Sequence, residues 1–126
     1  MNFLAVFLGG GLGSVARYAL GLAIKRLGFI APIGTLASNV LATAMLLGLI
    51  AAYSKSPEDS TKMNALFLLW TVGFCGAFST FSTFAADTIS LHSSHGLAWS
   101  MGNIAINVTF CIALGWWIWS SIEQIH

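Results

Sequence analysis

Charge is nearly missing from this chain. Five Lys or Arg and four Asp or Glu make up only 7% of its 126 residues, against about 25% in soluble domains. So little charge cannot dress a solvated globular surface. A net charge of +1 also argues against an electrostatic partner such as nucleic acid or an anionic lipid surface. Cysteine is scarce too: Cys75 and Cys111 both fall within apolar runs. They read as small apolar residues rather than a disulfide or metal pair. His92, His95 and His126 show no ligand spacing. No nucleophile–base constellation or phosphate loop is present, so nothing points to an enzyme.

Apolar residues take the place of charge, at 57% of the chain. They fall into four runs, at about 2–24, 34–53, 63–91 and 97–122. Each reaches the ~20 residues that cross ~30 Å of hydrocarbon. The first run is too long for a signal peptide, so it stays as a transmembrane helix. The third is longer than a crossing needs, which fits an interruption along it. Trp116, Trp117 and Trp119 form an interfacial aromatic belt near the end of the fourth. The expected fold is an all-α integral membrane protein, one four-helix domain over residues 1–126.

Basic residues are balanced across the membrane. Lys55 and Lys62 lie on the side of the termini, and Lys25 and Arg26 on the other. Two against two gives the positive-inside rule no preference. Either subtler signals choose one orientation, or the chain inserts both ways and pairs as an antiparallel dimer. Four short helices leave little room for a water-lined route between them, which favours an oligomer. Gly9 and Gly13 form a small-x-x-x-small pair, open to packing within one subunit or to dimerisation.

The third run carries the most unusual stretch, from Gly73 to Phe84. Ser79, Thr80, Ser82 and Thr83 interleave with Phe78, Phe81 and Phe84. On a helix Phe81 and Phe84 share a face, about 4.5 Å apart along the axis. Beside them runs a hydroxyl stripe, for which lipid offers no use. Thr35, Asn39 and Thr43 make a second polar stripe at i, i+4 and i+8, and Asn103, Asn107 and Cys111 a third. Polar groups inside spans normally face an interior or a cavity. One such residue is more often a helix–helix hydrogen bond; three stripes on three spans favour a pathway.

The chemistry of that pathway suits a small anion. An aromatic ring has a negative face and a positive edge, so Phe81 and Phe84 presented edge-on attract an anion without a fixed charge to trap it. Asn39, Ser82 and Thr83 can donate hydrogen bonds as hydration water is shed. Weak sites in series permit both entry and exit. Arg17 sits ~10 Å inside its span. It either draws anions to a mouth, snorkels to the headgroups, or pairs with Asp87.

Gly73-Phe74-Cys75-Gly76 followed by Ser79-Thr80-Phe81-Ser82-Thr83-Phe84 resembles the signature of the Fluc (CrcB) fluoride channels. Gly34-Thr35-Leu36 leading to Asn39, and Gly10-Gly11 then Gly13 leading to Arg17-Tyr18, are similar to its other motifs in order and spacing. The resemblance covers essentially the whole chain. It implies a homodimer of oppositely oriented subunits in a bacterial inner membrane, with two fluoride pores around a structural sodium ion, letting fluoride leave the cell passively.

By the same resemblance, Phe81 and Phe84 match the pore phenylalanines and Asn39 the pore asparagine. Arg17 matches the vestibule arginine, and the polar stripes add Ser82, Thr83, Thr43, Asn107 and Asn103 to the expected pore wall. Gly76 and Ser79 match broken-helix positions whose main-chain carbonyls hold sodium. Ala77 stands where a second glycine is common, Asp87 where glutamate is frequent, and Asn103 and Asn107 where tyrosine and serine often stand. Two other classes remain to be separated by experiment. One is a proton-coupled exporter of the small multidrug-resistance type, which needs a titratable carboxylate within a span. The other is a non-transporting assembly protein.

Overall fold

A computed structural model of the chain describes residues 2–54 and 65–123. Most of the polar second loop, with Lys55, Pro57, Glu58, Asp59 and Lys62, lies outside them, as do Met63 and His126. The first span is α1 (Asn2–Arg26) and the second α2 (Ala31–Ser54). The third, Ala65–His95, is assembled from pieces. These are α3 (Ala65–Leu68), a π-helical stretch Leu69–Cys75, the short α4 (Gly76–Phe78), and α5 (Phe81–His95). The last span is α6 (Leu97–Glu123). All four spans are long and apolar enough to cross a membrane, so the chain is an all-helical, multi-pass membrane protein.

Glycine sets the sharp reversals. Gly28 closes α1 at φ +85°, with Phe29 N–H reaching back to the Ile24 carbonyl (3.2 Å). This left-handed cap ties off carbonyls the helix end would leave unpaired. Pro32 follows in the first turn of α2, where a missing N–H costs nothing. At the far end, α5 runs on past Leu91 to His95. Ser93 and Ser94 continue it by turning their hydroxyls onto the Ile89 and Ser90 carbonyls (3.1 and 2.7 Å). Gly96, at φ +89°, then turns the chain straight into α6.

Packing pairs α1 with the π-helical stretch and α4, and α6 with α2 and α5. The first contact is backbone on backbone. A methyl on Gly9 would strike the Leu69 carbonyl oxygen, and one on Gly13 the Phe74 carbonyl oxygen. A methyl on Gly73 would meet the Gly9 Cα at 2.9 Å. The Gly9-x-x-x-Gly13 pair is therefore used inside the subunit, while Gly10 and Gly11 face open space. The widened π turns lie along this contact, a geometry that recurs at functional sites.

Little of the apolar surface is buried by the chain itself. Only 11% of the most apolar stretch of the fourth span is buried, and Phe81, Val108, Phe110 and Ile112 are all exposed. Lipid or a second chain must cover such a surface.

Candidate functional site

Between α4 and α5 the backbone leaves the helix for two residues, Ser79 (ψ 157°) and Thr80 (φ −155°, ψ 116°). Unpaired backbone groups at membrane depth cost several kcal/mol each, so the partners here decide whether such a break can exist. The N–H of Thr80, which in a continuous helix would serve the Gly76 carbonyl, instead donates to Asn39 Oδ1 at 2.8 Å. Asn39 Nδ2 lies 3.5 Å from the Thr80 carbonyl and donates to Asn107 Oδ1 at 3.1 Å. One side chain on α2 thus holds the break and ties it to α6.

The two helix ends are capped from within the stretch and from α1. Ser79 N–H and Oγ both donate to the Cys75 carbonyl at 3.0 Å. Arg17 Nε donates to the Ala77 carbonyl at 3.1 Å, a favourable place for a cation at a helix C-terminus. The Thr80 hydroxyl accepts the Thr83 N–H at 3.2 Å, the N-cap that restarts α5. It also bonds Thr83 Oγ1 and approaches Ser82 Oγ.

Two concavities meet at this break. A cleft of about 640 Å³ is lined by Ser14, Arg17, Lys25, Thr35, Ser38, Thr80, Thr83 and Asp87 among others. Asp87 there accepts the Thr35 hydroxyl at 2.6 Å; its pairing with Arg17, left open by the sequence, is not made, since Arg17 serves the Ala77 carbonyl. A second groove of about 350 Å³ is lined by Asn39, Thr43, Ser79, Thr80, Phe81, Phe84, Asn107, Val108, Cys111 and Ile112. Thr80 lines both.

The groove brings together Asn39, Thr43, Ser79, Phe81, Phe84 and Asn107 out of the site residues picked from the sequence. The Phe81 and Phe84 rings lie 5.6 Å apart, tilted by 54°. Phe81 is 80% exposed and Phe84 9%, so Phe84 forms the floor and Phe81 the rim. Thr83 lines the cleft instead, and Ser82 lines neither. Asn103 stands one helical turn away from the groove and donates to the Thr88 hydroxyl at 2.8 Å. It borders an apolar pocket with Ile30, Leu36, Leu91 and Trp99. Gly76 keeps ordinary helical geometry (φ −63°, ψ −35°), and the extended residues come three positions later.

Sequence reasoning did not give Thr80 a role, although a threonine opening an apolar helical run is a capping signal. Cys111, which the sequence places on one stripe with Asn107, lines the groove beside it.

A family model described as CrcB-like protein, Camphor Resistance (CrcB), matches residues 4–118. The chain is 39% identical over 122 residues to a fluoride-specific ion channel FluC of Escherichia fergusonii, covering 94% of this chain and 93% of that one. It is 40% identical over 124 residues to one from Cronobacter sakazakii (95% and 94% covered). A FluC of Paraburkholderia phymatum is 39% identical over 109 residues (86% and 84%). Together with the four spans and the Phe-lined groove, these matches make the chain a member of the CrcB family.

Proposed function

We propose that this protein is a fluoride-selective channel that lets cytoplasmic fluoride leave passively across a bacterial inner membrane. The observation that carries the reading is the groove where Phe81 and Phe84 stand 5.6 Å apart beside Asn39 and Asn107. Two ring edges and an amide donor can replace the hydration of a small anion without a fixed cation. The polar cleft with Arg17 and Lys25 meets this groove at Thr80 and serves as its vestibule. Relatives named as fluoride-specific channels supply the identity of the ion.

The working unit is an antiparallel homodimer with two pores. Phe81 at the rim is 80% exposed, so a partner subunit is needed to close the groove into a passage. The balanced Lys/Arg count permits insertion in both orientations.

A structural sodium ion fits the donor set at the break. Thr80 N–H goes to Asn39, which leaves the Gly76 carbonyl without its helical donor. Ser79 lies outside both helices, so its carbonyl belongs to neither ladder. Two such oxygens from each subunit would meet a hard cation's preference for oxygen ligands. The ion would tie the two breaks together and is not transported.

Reconstitution of the purified chain into liposomes tests the reading. Fluoride efflux that is passive and independent of a proton gradient supports it. Flux that requires a proton gradient would favour a coupled exporter using Asp87, and no flux would favour an assembly role.

A further inference from the structure

The amides around the break form an oriented chain that ends on a donor without a partner. A backbone N–H can only donate, so the Asn39 atom that Thr80 N–H meets at 2.8 Å must be the side-chain oxygen. Asn39 Nδ2 is thereby turned toward Asn107 at 3.1 Å, where it requires an acceptor. That fixes the second amide: Asn107 Oδ1 faces Asn39, and Nδ2 takes the other position. Asn107 is only 5% exposed. Its Nδ2 is fully buried and is the one buried side-chain polar atom among the described residues with no hydrogen-bond partner.

Folds rarely leave a buried donor unanswered, and one that is left calls for an acceptor from outside the chain, a water or an ion. Asn107 lines the groove together with Phe81, Phe84, Thr43 and Cys111. The phenylalanines offer no acceptor, the thiol only a weak one, the Asn39 oxygen is already engaged, and the Thr43 hydroxyl, turned onto the Asn39 carbonyl, makes no bond to Nδ2.

We propose that Asn107 Nδ2 is the hydrogen-bond donor that binds the anion beside the two phenylalanines, and that Asn39 is a positioning residue aiming it. The inference rests on the groove being a fluoride path. A free asparagine can turn either its oxygen or its nitrogen to a passing ion. Here the Thr80 N–H cannot reverse its polarity, so neither amide behind it can reverse either. Only a donor is presented, which welcomes an anion and gives a cation nothing. The plainer alternative is an asparagine whose far end is merely packed, and it makes a different prediction.

The test is fluoride efflux from liposomes holding purified wild type or a variant at neutral pH, with dimer integrity checked by gel filtration. Asn107→Leu keeps similar volume without a donor, Asn107→Asp keeps the shape but offers only acceptors, and Asn107→Ser keeps a hydroxyl donor. Hydrogen bonds to charged groups are among the stronger ones, so the leucine and aspartate variants should lose about ten-fold or more in flux. Serine should stay several-fold above leucine. Asn39→Ala should also lower flux, yet add little when combined with Asn107→Leu, because the relay then has nothing to aim.

Wild-type flux in an intact Asn107→Leu dimer would overturn the inference while leaving the channel reading in place. So would a serine variant no better than leucine, or fully additive losses in the double variant. A wild-type protein that carries no fluoride would overturn the channel reading and this inference together.

Discussion

Asn39 grips the backbone of Thr80 across the gap between α2 and the third span, its oxygen on the N–H at 2.8 Å and its nitrogen 3.5 Å from the carbonyl. The break in the third span is therefore held from outside, by a residue 41 positions away. Removing that grip leaves the Thr80 N–H and Asn107 Oδ1 without their partner. Asn39→Leu should lower stability by about 1–3 kcal/mol, the cost of orphaning buried polar groups. Asn39→Asp keeps the acceptor for Thr80 but loses the donor to Asn107, so it should melt between wild type and Asn39→Leu, while its charge repels the anion and stops flux. Thermal melting in detergent beside liposome flux separates the two effects.

The glycines of α1 divide sharply. Gly9→Ala and Gly13→Ala drive a methyl into the carbonyls of Leu69 and Phe74 and should cost about 1–3 kcal/mol through forced separation of α1 from the π-helical stretch. Gly10→Ala and Gly11→Ala meet nothing within the subunit and should be neutral or slightly stabilising in the monomer. A melting series over the four alanine variants checks this. Equal losses at all four positions would contradict the packing described.

Sodium should separate from the side chains that surround it. Ser79 Oγ bonds the Cys75 carbonyl, so Ser79→Ala loses about 0.5–1.5 kcal/mol but keeps the main-chain oxygen and the sodium response. Gly76 is helical and a Cβ there meets nothing in its own chain. Gly76→Val should therefore fold yet fail where two subunits meet. The measurement is dimer stability in sodium against a large organic cation. Identical melting of the wild-type dimer in the two salts would argue against the ion.

Orientation can be read with a cysteine added at the C-terminus. Dual insertion predicts labelling by a membrane-impermeant reagent from both faces. Two lysines added beside His92, close to the turn at Gly96, should bias insertion and reduce activity, because subunits of one orientation lack partners. Labelling from one face alone would sink the antiparallel dimer.

The spans were legible because ~20 apolar residues with almost no charge have few other uses. The pore-side stripes were legible because i, i+4 spacing places Asn39 with Thr43, and Asn107 with Cys111, on single faces. The same rule carried Asn103 onto the stripe, but helical periodicity does not say where a neighbouring helix begins. At Asn103 α5 is close enough for Thr88 to take the amide. The site of the break was less visible. Gly76 offers conformational freedom that the backbone does not use there, and what opens the helix is the distant Asn39 together with the Thr80 cap. A long-range side-chain-to-backbone bond leaves no local pattern in a sequence. The π-helical turns were equally hidden, because the backbone contact they make with Gly9 and Gly13 is long-range.

The account rests most heavily on Phe81 and Phe84 as an anion path, and fluoride efflux through Phe81→Ile and Phe84→Ile dimers tests it most directly. Isoleucine roughly keeps apolar volume and removes the ring edge, so the fold should survive with at most ~1–2 kcal/mol lost to repacking. Met, flexible and polarisable, should retain more activity than Ile. The account predicts a strong fall in fluoride efflux for at least one isoleucine variant while its dimer elutes and melts like wild type. Wild-type efflux through both would place the fluoride path away from this groove.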